Sequence, residues 1–244
     1  MKTLIIIPSR LSATRLPGKP LLKINGLSII SHVFKRAVSA NIGEVYVATE
    51  DQEIVDDVHK NGGQAILTNN HHKTGTDRIY EAFQKIGKSD IELILNLQGD
   101  EPLMNINDIR NLHNQMIKNK VELGTLGAII KDKNLYDKQN VVKVLTKQSL
   151  ETSEFPEAIK FMRKSNSQNK NTYHHLGIYC YQLKTLKDFV SLNQSQNETE
   201  SKLEQLRAMD NNIKINVCLA KESPIGVDTE EDFVAIKKIM EYKS

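Results

Sequence analysis

Three basic residues, Arg10, Arg15 and Lys19, lie close together near the start of the chain, after an apolar run at residues 4–7. The apolar run is continuous and β-branched, which is typical of a buried strand in a parallel sheet. Ligands of such sheets collect outside the carboxyl ends of the strands, where Arg and Lys side chains hold phosphate oxygens. The spacing therefore predicts a polyanion site, and a basic solvated loop is the alternative interpretation.

Two carboxylates are candidates for the same rim of the sheet. Asp100 follows a predicted buried strand at 91–97 and a glycine that allows a tight turn, and Asp228 lies in a second polar turn. Cations beside carboxylates suit a nucleoside triphosphate with Mg²⁺, because the divalent ion bridges carboxylate and phosphate oxygens. For Asp100 alone, a turn residue that caps its own backbone is the alternative.

The segment 71–78 is a further polar cluster at this predicted rim. His71 and His72 precede a predicted helix whose first turn suits an anion or a base edge, and surface histidines without a function are the alternative. The sequence contains neither GxxxxGK[ST] nor GxGxxG, which disfavours a P-loop enzyme or a dehydrogenase. It also lacks the GxSxG motif of a nucleophile elbow.

Composition indicates an ordinary globular protein. The 244 residues are 39% hydrophobic and 26% charged, with a formal net charge of +3, which is too small to indicate nucleic acid binding. The first apolar run ends at Pro8 and is too short for a signal or membrane segment, so we expect no membrane partner and a cytoplasmic location. Cys180 and Cys218 each lie in an apolar run and are expected to be small core residues.

Strands and helices alternate through the first half of the chain, which predicts an α/β fold with a mostly parallel central sheet and flanking helices. The second half predicts a smaller antiparallel part, and we expect one domain over residues 1–244. The predicted strands are 4–7, 44–49, 64–68, 91–97, 124–130, 141–146, 158–163, 176–183 and 214–220. The predicted helices are 29–38, 52–60, 76–86, 186–192, 200–209 and 229–242. Residues 165–171 and 193–200 are expected to be loops, the former mobile.

Eight short motifs give the chain a resemblance to a known family. They occur in the family's order and span nearly the whole sequence, so the set is far more specific than any single motif. The motifs are 6–10 (IIPSR), 14–21 (TRLPGKPL), 74–78 (TGTDR), 96–102 (NLQGDEP), 142–144 (VKV), 175–179 (HLGIY), 203–207 (LEQLR) and 226–229 (GVDT). In this respect the chain resembles 3-deoxy-manno-octulosonate cytidylyltransferase, the CMP-Kdo synthetase family.

The resemblance implies a nucleotidyltransferase of the glycosyltransferase-A-like α/β type that is dimeric and depends on Mg²⁺. Its substrates would be CTP and a 3-deoxy-ulosonic acid, Kdo, in lipopolysaccharide assembly. The implied triphosphate and catalytic residues are Arg10, Arg15, Lys19 and Asp100. The implied cytidine-site residues are Pro8, Thr74, Arg78 and Gln98. The implied metal ligands are Asp100 and Asp228. The implied sugar-acid residues are Gln98, Arg163, His175, Tyr179, Glu204 and Gln205.

The chain departs from the family pattern mainly in the half that would bind the sugar. The usual Ala-Leu-Tyr-Phe-Ser-Arg segment is replaced by residues 158–163 (AIKFMR), so that Lys160 and Met162 differ while Arg163 is retained. The other departures are Thr74 for serine, Cys180 for glycine, Gln182 for arginine and Ser201 for glutamate. Two alternatives therefore stay open: a cytidylyltransferase for a related acid, amino-substituted or sialic-acid-like, and a non-catalytic nucleotide-binding regulator.

Overall fold

The computed structural model describes residues 1–12, 15–164 and 169–242. The chain divides into two compact units, which we describe separately. The first unit comprises residues 2–91, 95–109 and 224–244, and the second comprises residues 1, 92–94 and 110–223. One domain over residues 1–244 stays a prediction.

The described residues form an alternating series of strands and helices. The strands are β1 (Thr3–Ser9), β2 (Lys23–Ile24), β3 (Leu27–Ser28), β4 (Glu44–Thr49), β5 (Ala65–Leu67), β6 (Leu93–Asn96), β7 (Leu123–Ala128), β8 (Lys143–Thr146), β9 (Ala158–Met162), β10 (Thr172–Gln182) and β11 (Ile215–Leu219). The helices are α1 (Ile29–Ala40), α2 (Gln52–Lys60), α3 (Gly75–Ile86), α4 (Ile106–Asn119), α5 (Leu183–Ser191), α6 (Gln196–Ser201), α7 (Gln205–Asp210) and α8 (Glu230–Tyr242). Short 3₁₀ turns occupy Lys19–Leu21 and Lys133–Tyr136.

The first unit is built on a parallel sheet. β1 pairs with β4 and β4 pairs with β5, both in parallel register. The segment after β6 joins β1, since Leu97 N–H donates to the carbonyl of Ile6. The apolar run at the start of β1 is completely buried, as a strand covered on both faces must be. The predicted parallel sheet is therefore confirmed.

Capping residues mark the starts of two helices in the first unit and the end of one of them. Ser28 accepts a hydrogen bond from the backbone N–H of Ser31 and so caps α1. Thr74 does the same for Asp77 at the start of α3. α3 ends at Gly87, whose φ of 69° lies in the left-handed region that favours glycine. The sheet and these helices place the carboxyl ends of the strands beside the start of α3.

The second unit contains the smaller antiparallel part. β10 pairs antiparallel with β7 and with β8, and β8 pairs antiparallel with β9. β11 adds to β7 in parallel register. A register shift between Leu176 and Tyr179 marks an irregularity in β10, within the motif 175–179 that the sequence singled out. Cys180 and Cys218 are buried and free, as expected.

Several sequence predictions need correction. The predicted loop 193–200 is wrong beyond Ser195, because Ser195 and Glu198 form a reciprocal capping box that starts α6. The predicted helix 200–209 is interrupted at Lys202, whose φ of 53° ends α6 before α7 begins. α4 was not predicted, and β10 begins four residues earlier than expected. Most of the predicted mobile loop 165–171 lies outside the described residues.

Every helix in the described ranges is too short or too polar to cross a bilayer.

Candidate active site

The basic loop after β1 folds back onto the first unit. The backbone N–H of Leu11 donates to the carboxylate of Asp51 at 2.7 Å, and the N–H of Gly18 donates to the carbonyl of Leu11 at 3.1 Å. Gly18 has a φ of 69°, which glycine adopts at little cost, and it precedes the 3₁₀ turn at Lys19. As a result the side chain of Lys19 is only 12% exposed.

The ammonium group of Lys19 contacts two carboxylates from distant parts of the chain. Its Nζ lies 2.7 Å from Oδ2 of Asp100 and 3.5 Å from Oδ1 of Asp228. Arg15 adds a second cation, with Nη2 placed 3.0 Å from Oδ2 of Asp228. Two positive and two negative side chains therefore meet at one place in the first unit.

Backbone contacts explain why Asp100 and Asp228 lie together. The carbonyl of Asp100 accepts a hydrogen bond from Val227 N–H at 2.9 Å. Gly99 allows the preceding turn to approach β1 closely, since a Cβ atom at this position would lie 2.9 Å from the carbonyl oxygen of Pro8. These two contacts hold the turn after β6 between the end of β1 and the segment before α8.

The segment before α8 is anchored from both sides. The Asp232 carboxylate accepts hydrogen bonds from Asp228 N–H at 3.2 Å and from Thr229 N–H at 3.0 Å. Val227 is completely buried in an apolar cluster. The other buried members of that cluster are Leu16, Ile24, Ile29 and Ile236. The basic loop and Asp228 are therefore fixed through one shared core.

A third carboxylate, Glu101, lies beside these two with one of its side-chain oxygens buried. Its Oε2 has no hydrogen-bond partner in the part of the chain that the structure describes. Burial raises the pKa of Glu101 to about 8, and the negative charges of Asp100 and Asp228 add to this effect. Glu101 is therefore largely protonated at pH 7, and the two charged carboxylates of the site face Lys19 and Arg15.

Nine of the predicted site residues line one cavity in the first unit. Those nine are Pro8, Arg10, Arg15, Lys19, Thr74, Arg78, Gln98, Asp100 and Asp228. The remaining lining residues are Ser9, Leu16, Pro20, His72, Lys73, Gly75 and Gly99. The cavity is rich in cations and lies where the parallel strands end, which suits a phosphorylated ligand.

The predicted cytidine-side residues Thr74 and Arg78 are tied to neighbouring groups. The Thr74 hydroxyl donates to the Asp77 carboxylate at 2.8 Å and also caps α3. Arg78 is 4% exposed; it forms an ion pair with Glu50 and donates to the Thr68 hydroxyl at 2.7 Å. Both side chains therefore form part of a rigid cavity wall.

Five of the predicted sugar-acid residues belong to the second unit. Among them, Arg163 donates to the carbonyls of Ser201 at 2.6 Å and Lys202 at 2.7 Å, at the end of α6. Its own carbonyl accepts from Lys143, a buried lysine whose Nζ also donates to the carbonyls of Lys138 and Val141. Burial lowers the pKa of Lys143. Arg163 thus links β9 to the turn that precedes Glu204 and Gln205.

His175 and Tyr179 are buried on β10. The His175 ring packs edge-on against Phe161 with centroids 4.9 Å apart, and its Nε2 lies 3.1 Å from the Thr125 hydroxyl. Burial, helped by His174, lowers the pKa of His175 to about 3, so the ring is neutral at pH 7. Burial raises the pKa of Tyr179 well above its usual range. Both groups can offer hydrogen bonds without charge.

Glu204 and Gln205 lie at the start of α7. Gln205 is buried, and its Nε2 has no hydrogen-bond partner within residues 1–12, 15–164 and 169–242. The turn that carries the pair is stabilised by a bidentate ion pair between Arg207 and Glu198, at 2.7 and 2.9 Å. A buried amide donor on a rigid turn suits a ligand oxygen.

Comparison with known proteins identifies the family. Residues 4–215 match a family model described as cytidylyltransferase. Two curated 3-deoxy-manno-octulosonate cytidylyltransferases, from Afipia carboxidovorans and Rhodopseudomonas palustris strain BisB18, are each 40% identical to the chain. The alignments cover 98% of the chain in both cases, with 96% and 98% of the respective relatives. The chain belongs to the 3-deoxy-manno-octulosonate cytidylyltransferase family. It is accordingly a nucleotidyltransferase enzyme.

Solved structures agree with this assignment. A CMP:2-keto-3-deoxy-manno-octonic acid synthetase complexed with CTP superposes with a TM-score of 0.89 at 33% identity, and each chain is covered completely. A UDP-glucose pyrophosphorylase complexed with UDP-glucose superposes with a TM-score of 0.73 at 12% identity and 100% coverage of both chains, which shows the fold alone. The predicted nucleotidyltransferase-like α/β fold is confirmed.

The resemblance predicts Mg²⁺ beside the triphosphate, and two carboxylates of the cavity fit that prediction. Asp100 and Asp228 supply hard carboxylate oxygens of the kind that Mg²⁺ prefers, and the unpartnered buried oxygen of Glu101 lies next to them. The described residues contain no cluster of three or more His, Cys, Asp or Glu side chains in ligand geometry. The donor set therefore fits a cation held by two carboxylates together with ligand oxygens.

Two residues in the first unit were missed or left open by sequence reasoning. Glu101 was overlooked, although its position directly after Asp100 was a signal that two carboxylates enter one turn. His72 was left with two interpretations, and the structure places it in the cavity wall in contact with Glu81.

Proposed function

We propose that this chain transfers the cytidylyl group of CTP to the anomeric hydroxyl of Kdo, giving CMP-Kdo and pyrophosphate. The observation that carries the proposal is the contact of Lys19 with both Asp100 and Asp228 inside a cavity that Arg10 and Arg15 also line. The family assignment supplies the identity of the two substrates.

The cationic side chains would stabilise the charge that develops during transfer. The sugar hydroxyl attacks the α-phosphorus in line with the departing pyrophosphate, so negative charge builds on phosphoryl oxygens. Arg10, Arg15 and Lys19 are positioned to hold those oxygens, and such preorganised cations usually provide much of the rate enhancement. Lys19 is well placed for this because it is nearly buried and already oriented by two carboxylates.

We extend the proposal to the cofactor. Asp100 and Asp228 would hold Mg²⁺, which when bound neutralises phosphate charge and acidifies a coordinated hydroxyl. Asp100 and Asp228 would each supply a carboxylate oxygen to the cation, and Lys19 would bind the phosphates. The support is the meeting of these two carboxylates at Lys19 and the unpartnered buried oxygen of Glu101 beside them.

On the sugar side, we assign Gln98, Arg163, His175, Tyr179, Glu204 and Gln205 from the family motifs. The buried amide of Gln205 and the neutral ring of His175 support this assignment, because both can donate or accept hydrogen bonds to an uncharged hydroxyl. A homodimer that works in the cytoplasm and serves lipopolysaccharide assembly belongs to the same proposal and depends on the family resemblance.

Two of the departures from the family pattern, Cys180 and Gln182, have structural roles in the second unit. Cys180 is completely buried, and the amide of Gln182 donates to the carbonyls of Lys120 and Val121 at 2.9 Å. The carbonyl of Ser201 accepts from Arg163. Each of these side chains or backbone groups therefore has a structural role within the second unit.

Pyrophosphate release tests the proposal directly. We expect release when CTP, Mg²⁺ and Kdo are all present, and little release when Kdo is omitted. Parallel reactions should contain an amino-substituted Kdo and a sialic acid. Faster release with either of those acids would transfer the assignment to a related substrate, and no release with any acid would favour a non-catalytic nucleotide-binding protein.

A further inference from the structure

His72 is a cavity-lining residue that the proposed chemistry leaves without a role. It lies just before α3, and its side chain is only 13% exposed. Its Nε2 contacts a carboxylate oxygen of Glu81, which lies two turns into α3. When one ring nitrogen of a histidine is engaged, only the other ring nitrogen is left to bind a further group.

Glu81 is itself held firmly. Its carboxylate accepts hydrogen bonds from the backbone N–H of Asn69 at 3.1 Å and from the Asn69 side-chain amide at 3.0 Å. Lys85 forms an ion pair with it at 2.7 Å. Although burial opposes ionisation, the hydrogen bonds from Lys85, His72 and Asn69 lower the pKa of Glu81 to about 2. The carboxylate is therefore ionised at pH 7 and accepts hydrogen bonds only.

An acceptor-only partner fixes the state of the imidazole. A carboxylate can be satisfied only by a donor, so the Nε2 of His72 must carry a proton where it meets Glu81. In the neutral ring Nδ1 is then an acceptor. The end of the cavity near α3 also contains Thr74 and Arg78, whose donors are directed to Asp77, Glu50 and Thr68.

The charge distribution suggests which part of a nucleotide meets His72. Lys19, Asp100 and Asp228 form the charged cluster where phosphates and a cation would lie. His72 lies instead in the segment that leads into α3. We therefore expect it to contact the nucleoside and not the phosphates. Cytosine carries an exocyclic amino group, a donor, where uracil carries a carbonyl oxygen, an acceptor. A fixed acceptor distinguishes between the two.

We propose that His72, oriented by Glu81, accepts a hydrogen bond from the cytosine amino group and so selects CTP over UTP. The inference rests on the proposed function. His72 acts as a specificity residue, and Glu81 is a positioning residue that sets the ring tautomer. An acceptor at Nδ1 favours the amino group of cytosine and repels the corresponding oxygen of uracil.

The test compares kcat/KM for CTP and UTP, both with Mg²⁺ and Kdo. His72→Phe keeps a ring and removes the acceptor, so we expect the CTP-to-UTP ratio to fall by about tenfold, the loss of one hydrogen bond. His72→Asn carries a carbonyl acceptor and is expected to retain part of the preference. Glu81→Gln can donate to Nε2 and so permits the opposite tautomer, which should also lower the ratio.

Lys85→Gln is the matched control, because Lys85 contacts Glu81 but is absent from the cavity lining. It should leave the ratio unchanged.

Calorimetric titration of each protein with CTP and with UTP, without sugar acid, gives a readout that does not depend on turnover. An unchanged ratio in folded His72→Phe and Glu81→Gln, or an equal loss for both nucleotides, would overturn the inference. Failure of the wild type to release pyrophosphate would instead count against the proposed function, and the titrations would still decide the role of His72.

Discussion

Lys19 and Asp100 are 81 positions apart in sequence, yet Nζ of the lysine lies 2.7 Å from a carboxylate oxygen of the aspartate. The same ammonium group lies 3.5 Å from Asp228. The contact joins the loop after β1 to the turn after β6. It brings a cation and a candidate metal ligand together in the wall of one cavity.

The first prediction concerns Asp100. Asp100→Asn removes the negative charge that faces Lys19 and one of two candidate metal carboxylates. We expect kcat to fall by about two orders of magnitude or more, because electrostatic groups at a reacting phosphate typically have effects of this size. Steady-state pyrophosphate release at saturating CTP, Kdo and Mg²⁺ provides the measurement.

Asp56→Asn is the matched control for this change. Asp56 lies on α2, where its carboxylate accepts a hydrogen bond from Gln52 at the surface. Its replacement should leave turnover close to that of the wild type. Near-normal turnover of a folded Asp100→Asn protein would mean that the carboxylate has no part in the reaction.

Local patterns predicted the first unit well, because they depend on neighbours in sequence. The apolar run of β1 and the periodic apolar face of α1 are local signals, and each corresponds to an observed element. The signal for the basic loop was also local, because Arg10, Arg15 and Lys19 lie within ten residues of each other. Such features could be predicted from the sequence itself.

The meeting of Asp100 with Asp228 could not be predicted in this way. It depends on one backbone hydrogen bond from Val227 and on the burial of that residue, neither of which has a local signature. The sequence predicted only that both carboxylates lie at the same rim of the sheet, and the family resemblance implied that both are metal ligands. The break at Lys202 was missed for a related reason: a lysine with positive φ is tolerated because tertiary contacts hold the turn, whereas its sequence favours a continuous helix.

The second prediction concerns the close approach of Gly99 to β1. In Gly99→Ala the new methyl group would lie 2.9 Å from the Pro8 carbonyl oxygen, which is closer than real Cβ contacts allow. The turn that carries Asp100 must therefore move. We expect the KM for CTP to rise by about tenfold or more, because a small displacement of binding groups is costly. Initial-rate kinetics with CTP varied would measure this.

Gly226→Ala makes the same chemical change nearby. A Cβ atom at Gly226 would meet Glu101 Cγ at 3.7 Å and the Asp100 carbonyl oxygen at 3.8 Å, which are ordinary contact distances. We expect this variant to bind CTP almost normally. Equal effects of the two substitutions would show that the Pro8 contact does not position the site.

The third prediction concerns the buried ion pair between Glu198 and Arg207 in the second unit. The two side chains are 3% and 2% exposed, and the guanidinium also packs on Phe189 at 4.7 Å. Glu198→Gln leaves the arginine charge buried without its counterion, which typically costs about 3–5 kcal/mol. The free energy of unfolding from urea titration should fall accordingly.

Glu154→Gln tests whether that loss depends on burial. Glu154 pairs with Lys118 at the surface, where both side chains are largely exposed. Solvent screens such a pair, so its removal should hardly change the unfolding midpoint. If Glu198→Gln proved equally mild, the ion pair would not be what stabilises the turn before Glu204 and Gln205.

The fourth prediction concerns pH and His175. Burial holds the pKa of His175 at about 3 in the folded protein, against 6.5 for an ordinary histidine. As the pH falls below 6.5 the unfolded chain takes up a proton that the folded chain does not, so folding becomes less stable. The contribution is fully present above that pH and is lost at roughly 1.4 kcal/mol per pH unit until the folded pKa is reached.

His175→Gln removes this proton uptake, and the dependence of unfolding free energy on pH should become shallower by that amount. The variant should be less stable than the wild type at pH 7, since it loses the packing on Phe161, and the difference should narrow in acid. Urea titrations between about pH 7 and pH 5 measure both slopes. His59→Gln changes an exposed histidine at the end of α2 and should keep the wild-type slope. Parallel slopes for the wild type and His175→Gln would mean that the ring of His175 takes up its proton as readily in the folded protein as in the unfolded chain.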